Sequence, residues 1–167
     1  MKLLFFIMMA SLSLNTYFIT DKTTQSKDMK RVTGIGGIFF KTADPKATQA
    51  WYQKHLGLVA SEDNSILFEW KDVDEPKNSG YTVWAPFKES TKYFEPSQKQ
   101  FMINFRVENL KELLEQLKKE GVQVVGEMQE ESYGKFGWIM DPDGNKIELW
   151  EPVDNEFTKM YKGKTNH

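Results

Sequence analysis

Leu110, Leu113, Leu114 and Leu117 recur at spacings of three and four, the period of a helix that buries one stripe. Asn109 stands before the run as an N-cap and Gly121 after it as a terminator, so a helix is expected between them. Glu115 and Lys119 add an i, i+4 pair worth about a few tenths of a kcal/mol. A second helix is expected after Asp44-Pro45, with Asp as N-cap and Pro at the first position. Ala47, Ala50 and Trp51 share one of its faces, and Gly57 ends it. Elsewhere the pattern breaks into short β-rich runs. Around the first helix these are residues 32–42, 58–60, 66–70 and 81–85; around the second they are 101–107, 122–125, 137–140 and 146–150. Residues 72–80 form a turn-rich loop, and Asp141-Pro142-Asp143-Gly144-Asn145 is a tight turn that should join the last two strands as a hairpin.

The pattern repeats. Tyr81-Thr82-Val83-Trp84-Ala85-Pro86-Phe87 reappears in outline as Ile147-Glu148-Leu149-Trp150-Glu151-Pro152-Val153, and Gly37, Asp44 and Gly57 have counterparts in Met102, Asn109 and Gly121 at nearly the same offset. A fixed offset points to two copies of one structural unit, here βαβββ, pairing into one body with a shared cleft. The expected fold class is therefore α+β: two tandem βαβββ modules, residues 32–87 and 100–153, forming one curved mixed-sheet domain over residues 32–153.

Composition narrows the function classes. A net charge of −2 across 167 residues supplies no basic face for nucleic acid. There is no Cys, which excludes disulfides, thiolate metal sites and a cysteine-linked lipid anchor. Lys2 followed by the largely apolar run from Leu3 to Leu14 has the pattern of a secretory signal in residues 1–20. Extended through Tyr17-Phe18-Ile19, residues 3–19 approach the length of a membrane anchor, and a buried N-terminal helix is the plainer alternative. The expectation is an exported protein, periplasmic or extracellular, touching membrane only through this segment. Residues 21–31 read as a linker and 154–167 as a polar tail.

Gly36-Gly37-Ile38-Phe39-Phe40-Lys41-Thr42-x-Asp44 and Trp51-Tyr52-x-x-x-Leu56-Gly57 resemble the opening of a vicinal oxygen chelate module. Phe136-Gly137-Trp138-Ile139-Met140-Asp141-Pro142-Asp143-Gly144-Asn145-x-x-Glu148-Leu149-Trp150-Glu151-Pro152 resembles that superfamily's closing hairpin. The superfamily includes glyoxalase I, extradiol dioxygenases, methylmalonyl-CoA epimerase, and the fosfomycin and bleomycin resistance proteins. The resemblance implies the paired βαβββ fold, with modules that combine within one chain or across a homodimer.

In catalytic members a divalent metal sits in the cleft, on residues from the first and last strands of each module. The repeat places those positions at Gly37, Thr82, Met102 and Glu148. A glycine, a neutral hydroxyl and a soft thioether are poor partners for such a metal, which leaves Glu148 alone where about three protein ligands are needed. No cofactor is therefore expected. His55 lies at the end of the first helix, where a cation suits the helix dipole, and His167 is the last residue. The remaining candidates for a ligand-binding cleft are Thr82, Trp84, Tyr93, Phe94, Met102, Asn104, Trp138 and Trp150, with Tyr93 and Phe94 carried by the connection over residues 88–100. Each Trp could equally be plain core. Glu148, on an inner strand between Ile147 and Leu149, needs a partner and is the candidate general base.

The expected function is thus a metal-free protein binding a small organic molecule between aromatic side chains. The alternatives are a metal-dependent lyase, isomerase or dioxygenase, and a metal-free lyase or isomerase with Glu148 as base.

Overall fold

The computed structural model describes residues 31–61, 65–71 and 77–166. The expected signal or anchor (1–20), nearly all of the linker, most of the 72–80 loop and His167 lie outside them.

The chain runs β1 (Gly34–Thr42), α1 (Pro45–Leu56), β2 (Ile66–Lys71), β3 (Ser79–Lys88), β4 (Phe101–Arg106), α2 (Leu110–Lys119), β5 (Val124–Glu131), β6 (Gly134–Met140), β7 (Lys146–Pro152) and α3 (Asp154–Tyr161). One mixed seven-stranded sheet has the order β2-β3-β1-β4-β7-β6-β5. β1 runs parallel to β3 and β4 parallel to β7, while β1 and β4 meet antiparallel at the centre. The two halves of the sequence therefore join within a single chain. Among the described residues the first half holds three strands rather than the expected four: around 58–60 only Ala60 pairs, in one bridge to Ile66.

Asp44 caps α1 as expected, accepting from the Ala47 amide at 3.1 Å, and Pro45 follows it. Gly57 closes the helix at φ 70°, where a Cβ would be strained. The buried face of α1 differs from expectation. Ala47, Ala50 and Trp51 point to solvent, Trp51 with 54% of its surface exposed, while Gln49 is buried. Tyr52 decides this orientation, since its ring packs on Trp84 at 4.5 Å and offers more area than two alanines. The Thr42 and Thr48 hydroxyls, 2.8 Å apart, tie the same face to β1.

α2 follows its leucine stripe. Leu110, Leu113 and Leu114 are buried against Val107 and Leu149, with Phe105, Leu117, Ile139 and Ile147 around them. Asn109 adopts a left-handed conformation and makes no side-chain cap; Glu151 Oε2 instead accepts from the Leu110 amide at 2.7 Å. Both helices pack on the sheet face that carries Trp84 and Leu149. The 141–145 turn forms as read: Asp141 Oδ1 accepts from the amides of Asp143 and Asn145, and Gly144 takes φ 78°.

The opposite face is covered by two pieces. Phe94, in the connection between β3 and β4, is buried against Phe39, Met102 and Trp138. Residues 154–161, expected as polar tail, form α3, whose Phe157 packs with Leu67, Tyr81 and Trp150. The tail is polar on average, yet Phe157 and Tyr161 lie one helical turn apart and their rings meet at 4.6 Å. Beyond α3 the chain returns to the exposed edge of β2. The Asn166 backbone bonds to Leu67 and Glu69, and its side chain bonds to Val59, which blunts that edge.

Candidate functional site

The cleft lies on the face away from α1 and α2. Across the four central strands, Val83, Gly37, Asn104 and Glu148 form one row of cross-strand partners. Side chains alternate along a strand, so this parity sets which residues meet. Thr82 lies on the other face, where its hydroxyl accepts from Trp70 Nε1 at 3.1 Å and donates to the Ile35 carbonyl at 2.7 Å. Trp84 is also on that face, under α1. Met102 is on the cleft side but fully buried with Phe94. Of the four positions expected to correspond to metal ligands, Gly37 and Glu148 thus share one cross-strand row with Val83 and Asn104, Met102 is buried on the same side, and Thr82 faces away. The repeat aligned Trp84 with Trp150, and these two face opposite ways; a one-residue slip exchanges the faces of a strand.

Glu148 is 2% exposed and holds the centre. Asn104 Nδ2 donates to its Oε1 at 2.6 Å, and Trp138 Nε1 donates to its Oε2 at 2.9 Å. The Tyr93 hydroxyl also donates to Oε2. Tyr93 keeps 37% of its surface exposed, but its hydroxyl reaches inward, so the β3–β4 connection is latched to the sheet. Burial first, and then the Glu148 charge, push the Tyr93 phenol well above its ordinary range, which keeps it a proton donor. Lys146 stands beside this group, donating to the Tyr93 carbonyl at 2.7 Å with its ammonium over the rings of Tyr93 and Trp138. Burial pulls its pKa down, against the opposing pull of Glu148 and Glu95.

Beside Glu148 a cavity of about 450 Å³ opens under α3. Its walls include the aromatic side chains of Phe39, Tyr133, Phe136, Trp150, Phe157 and Tyr161. Gly36, Asn104 and Glu148 also line it. The Asn104 amide orientation is set by Glu148, which needs a donor; its Oδ1 is then buried without a hydrogen-bond partner. That oxygen rests against Gly36, where an added Cβ would lie only 2.1 Å from it and 2.9 Å from Trp150. Gly36→Ala should therefore displace Asn104 or bend β1. The expected cost is about 1–3 kcal/mol in urea unfolding; an unchanged midpoint would show that Asn104 is not held against Gly36. A larger cleft of about 820 Å³ adjoins the cavity through Phe39, Ser65 and Val83, with Asp44, Lys46 and Lys88 among its lining.

Of the residues expected from the sequence, the structure brings Asn104, Glu148 and Trp150 to the cavity and attaches Tyr93 and Trp138 to Glu148. Phe94 and Met102 are core, and Thr82 and Trp84 are outside the cleft. Sequence reasoning missed Phe39, Val83, Tyr133, Phe136, Phe157 and Tyr161. Phe39 and Val83 were open to strand parity, and Phe157 and Tyr161 to their helical spacing.

The row does not suit a metal. It offers one carboxylate and one amide, and the amide already donates to the carboxylate. Ligation by Glu148 would cost its bonds from Tyr93, Trp138 or Asn104. Among the described residues, no three His, Asp or Glu side chains are grouped to hold a metal ion. Both Glu148 oxygens already accept hydrogen bonds, so a substrate proton could reach either one only by displacing a bonded donor.

Residues 34–149 match the sequence profile of the Glyoxalase/Bleomycin resistance protein/Dioxygenase superfamily. No curated protein matches the sequence. Among solved structures, the Mycobacterium tuberculosis methylmalonyl-CoA epimerase is similar at 20% identity, over 76% of this chain and 93% of that chain, with a TM-score of 0.51. A variant of the Streptomyces coelicolor methylmalonyl-CoA epimerase, in complex with 2-nitronate-propionyl-CoA, is similar at 18% identity, over 73% and 99%, with a TM-score of 0.52. A methylmalonyl-CoA epimerase in complex with methylmalonyl-CoA and NH4+ is similar at 17% identity, over 73% and 96%, with a TM-score of 0.53. At these identities the likeness is one of fold.

Proposed function

Because the chain belongs to the glyoxalase/bleomycin resistance protein/dioxygenase superfamily, in which one fold serves many chemistries, we propose that it binds a small organic molecule in the cavity under α3 and does so without a metal. The observation that carries this reading is the combination at the cavity floor. A carboxylate with donors on both oxygens lies beside an amide oxygen with no partner, inside aromatic walls. Apolar walls with a few convergent polar groups are the usual composition of a small-molecule site. Two of the similar structures hold acyl-CoA ligands, which agrees with a small organic ligand in this fold. An exported location rests on the pattern of residues 1–20 and belongs to the same proposal; N-terminal sequencing of protein recovered outside the cytoplasm tests it.

Two measurements test the binding reading. Elemental mass spectrometry on protein purified without chelator and offered Ni, Zn, Mn and Fe in turn should find only substoichiometric metal. Near-stoichiometric metal that disappears in Glu148→Ala would overturn the metal-free part. A thermal-shift screen across neutral, cationic and anionic ring compounds should find stabilising ligands. At a hundredfold excess over Kd the gain is about 2.7 kcal/mol. A broad screen without a single stabilising compound would refute binding.

A further inference from the structure

The charge of the cavity limits what can enter it, and this inference rests on the binding reading above. Among the described residues lining the cavity, Glu148 is the only Asp or Glu, and none is Lys, Arg or His. Two polar side-chain atoms of lining residues are buried without a hydrogen-bond partner: the acceptor Asn104 Oδ1, packed against Gly36, and the donor Trp150 Nε1, beside Gly134. Two cations packed on the rings around Glu148 and Trp150 stand outside the cavity lining. Arg106 stacks on Trp150 and Trp70 and donates from Nη2 to both oxygens of Asp154 at 2.8 Å, while its Nη1 is buried without a partner and it does not line the cavity. Lys146 is held on the Tyr93 carbonyl, over the rings whose hydroxyl and indole N–H serve Glu148.

A ligand anion would meet a carboxylate and an amide oxygen, and no complementary charge. A ligand cation would meet an acceptor, a negative charge and several aromatic rings, each of which favours it. We propose that the natural ligand is a small lipophilic amine, bound protonated, with its charge compensated by Glu148 and its apolar body against Phe136, Trp150 and Phe157. The adjoining cleft, with Lys46 and Lys88, would receive any acidic extension of the ligand and does not set this preference.

The test uses three probes of similar size, 2-phenylethylamine, 2-phenylethanol and 3-phenylpropionate, titrated at neutral pH and followed by tryptophan fluorescence and calorimetry. The amine should bind at least about tenfold more tightly than either of the others. Glu148→Gln should remove most of that margin. Should Glu148→Gln not fold, the wild-type ranking decides by itself. Equal or tighter binding of the alcohol or the carboxylate, or a margin that survives Glu148→Gln, would overturn the amine proposal and leave small-molecule binding standing. If none of the probes binds but the wider screen yields ligands, the amine class is again refuted; if the screen is also empty, the binding reading falls with it.

Discussion

Replacing Glu148 with Ala should destabilise the protein by about 3–5 kcal/mol. The loss arises from what it leaves behind. Asn104 Nδ2 and Trp138 Nε1 are buried and would have no acceptor, each costing about 1–3 kcal/mol. Tyr93 would lose its anchor as well, but as a partly exposed residue it can turn to solvent, so its share is smaller. Lys146 would keep the Tyr93 carbonyl and lose the favourable field of the carboxylate. Urea unfolding gives the size of the effect. A double-mutant cycle with Tyr93→Phe separates the latch from the desolvated donors. A loss under about 1 kcal/mol would mean that these donors find water or other partners, and Glu148 would no longer be the organising group of the cleft. Hydrogen exchange should also rise across residues 91–95 in either variant, because the β3–β4 connection is held to the sheet through the Tyr93 hydroxyl.

Phe157→Ala should cost about 3–5 kcal/mol and open the cavity at once. Phe157 is buried on α3 and touches Tyr81, Tyr133, Trp150 and Tyr161 through ring contacts of 4.9, 6.4, 5.1 and 4.6 Å. It is the apolar anchor of a helix only eight residues long, too short to be stable by itself. The contacts that remain on α3 include the Arg106–Asp154 pair and the Tyr81–Thr158 hydroxyl contact at 2.8 Å. Arg106 is well buried while Asp154 is partly exposed, so the pair orients the helix more than it stabilises it. The expected readings are a lower unfolding midpoint, a change in tryptophan emission from Trp150, and binding of an apolar dye to the uncovered wall. An unchanged midpoint with no dye binding would show that α3 is not a wall of the site.

The leucine stripe, the Asp44-Pro45 start, Gly57 and the 141–145 turn were legible in the sequence because each depends on neighbours within a few residues. Periodicity, capping and turn geometry are local physics, and they carried the α+β fold and the family resemblance. Asp44 capped its helix where Asn109 did not, because Glu151, distant in sequence, satisfied the amide that Asn109 was expected to reach. The cleft was less legible. Trp84 and Trp150 match in the repeat yet face opposite sides of the sheet, and Thr82 went with Trp84, because strand parity is set by pairing register across the sheet. Glu148 and Asn104 could be named as candidates, but not their mutual bond, nor the Tyr93 hydroxyl that arrives from 55 residues away.

By itself, then, the sequence determined which segments become helices and strands, the hairpin that presents Glu148, and the absence of cysteine chemistry. Only the tertiary structure decided which side chains share the cleft, that the C-terminal segment folds over it, and that a buried carboxylate is held by three neutral donors. The division has one cause. Local backbone preferences act over a turn or two of chain, whereas the composition of a buried site depends on strand register and on segments brought together from opposite ends of the domain.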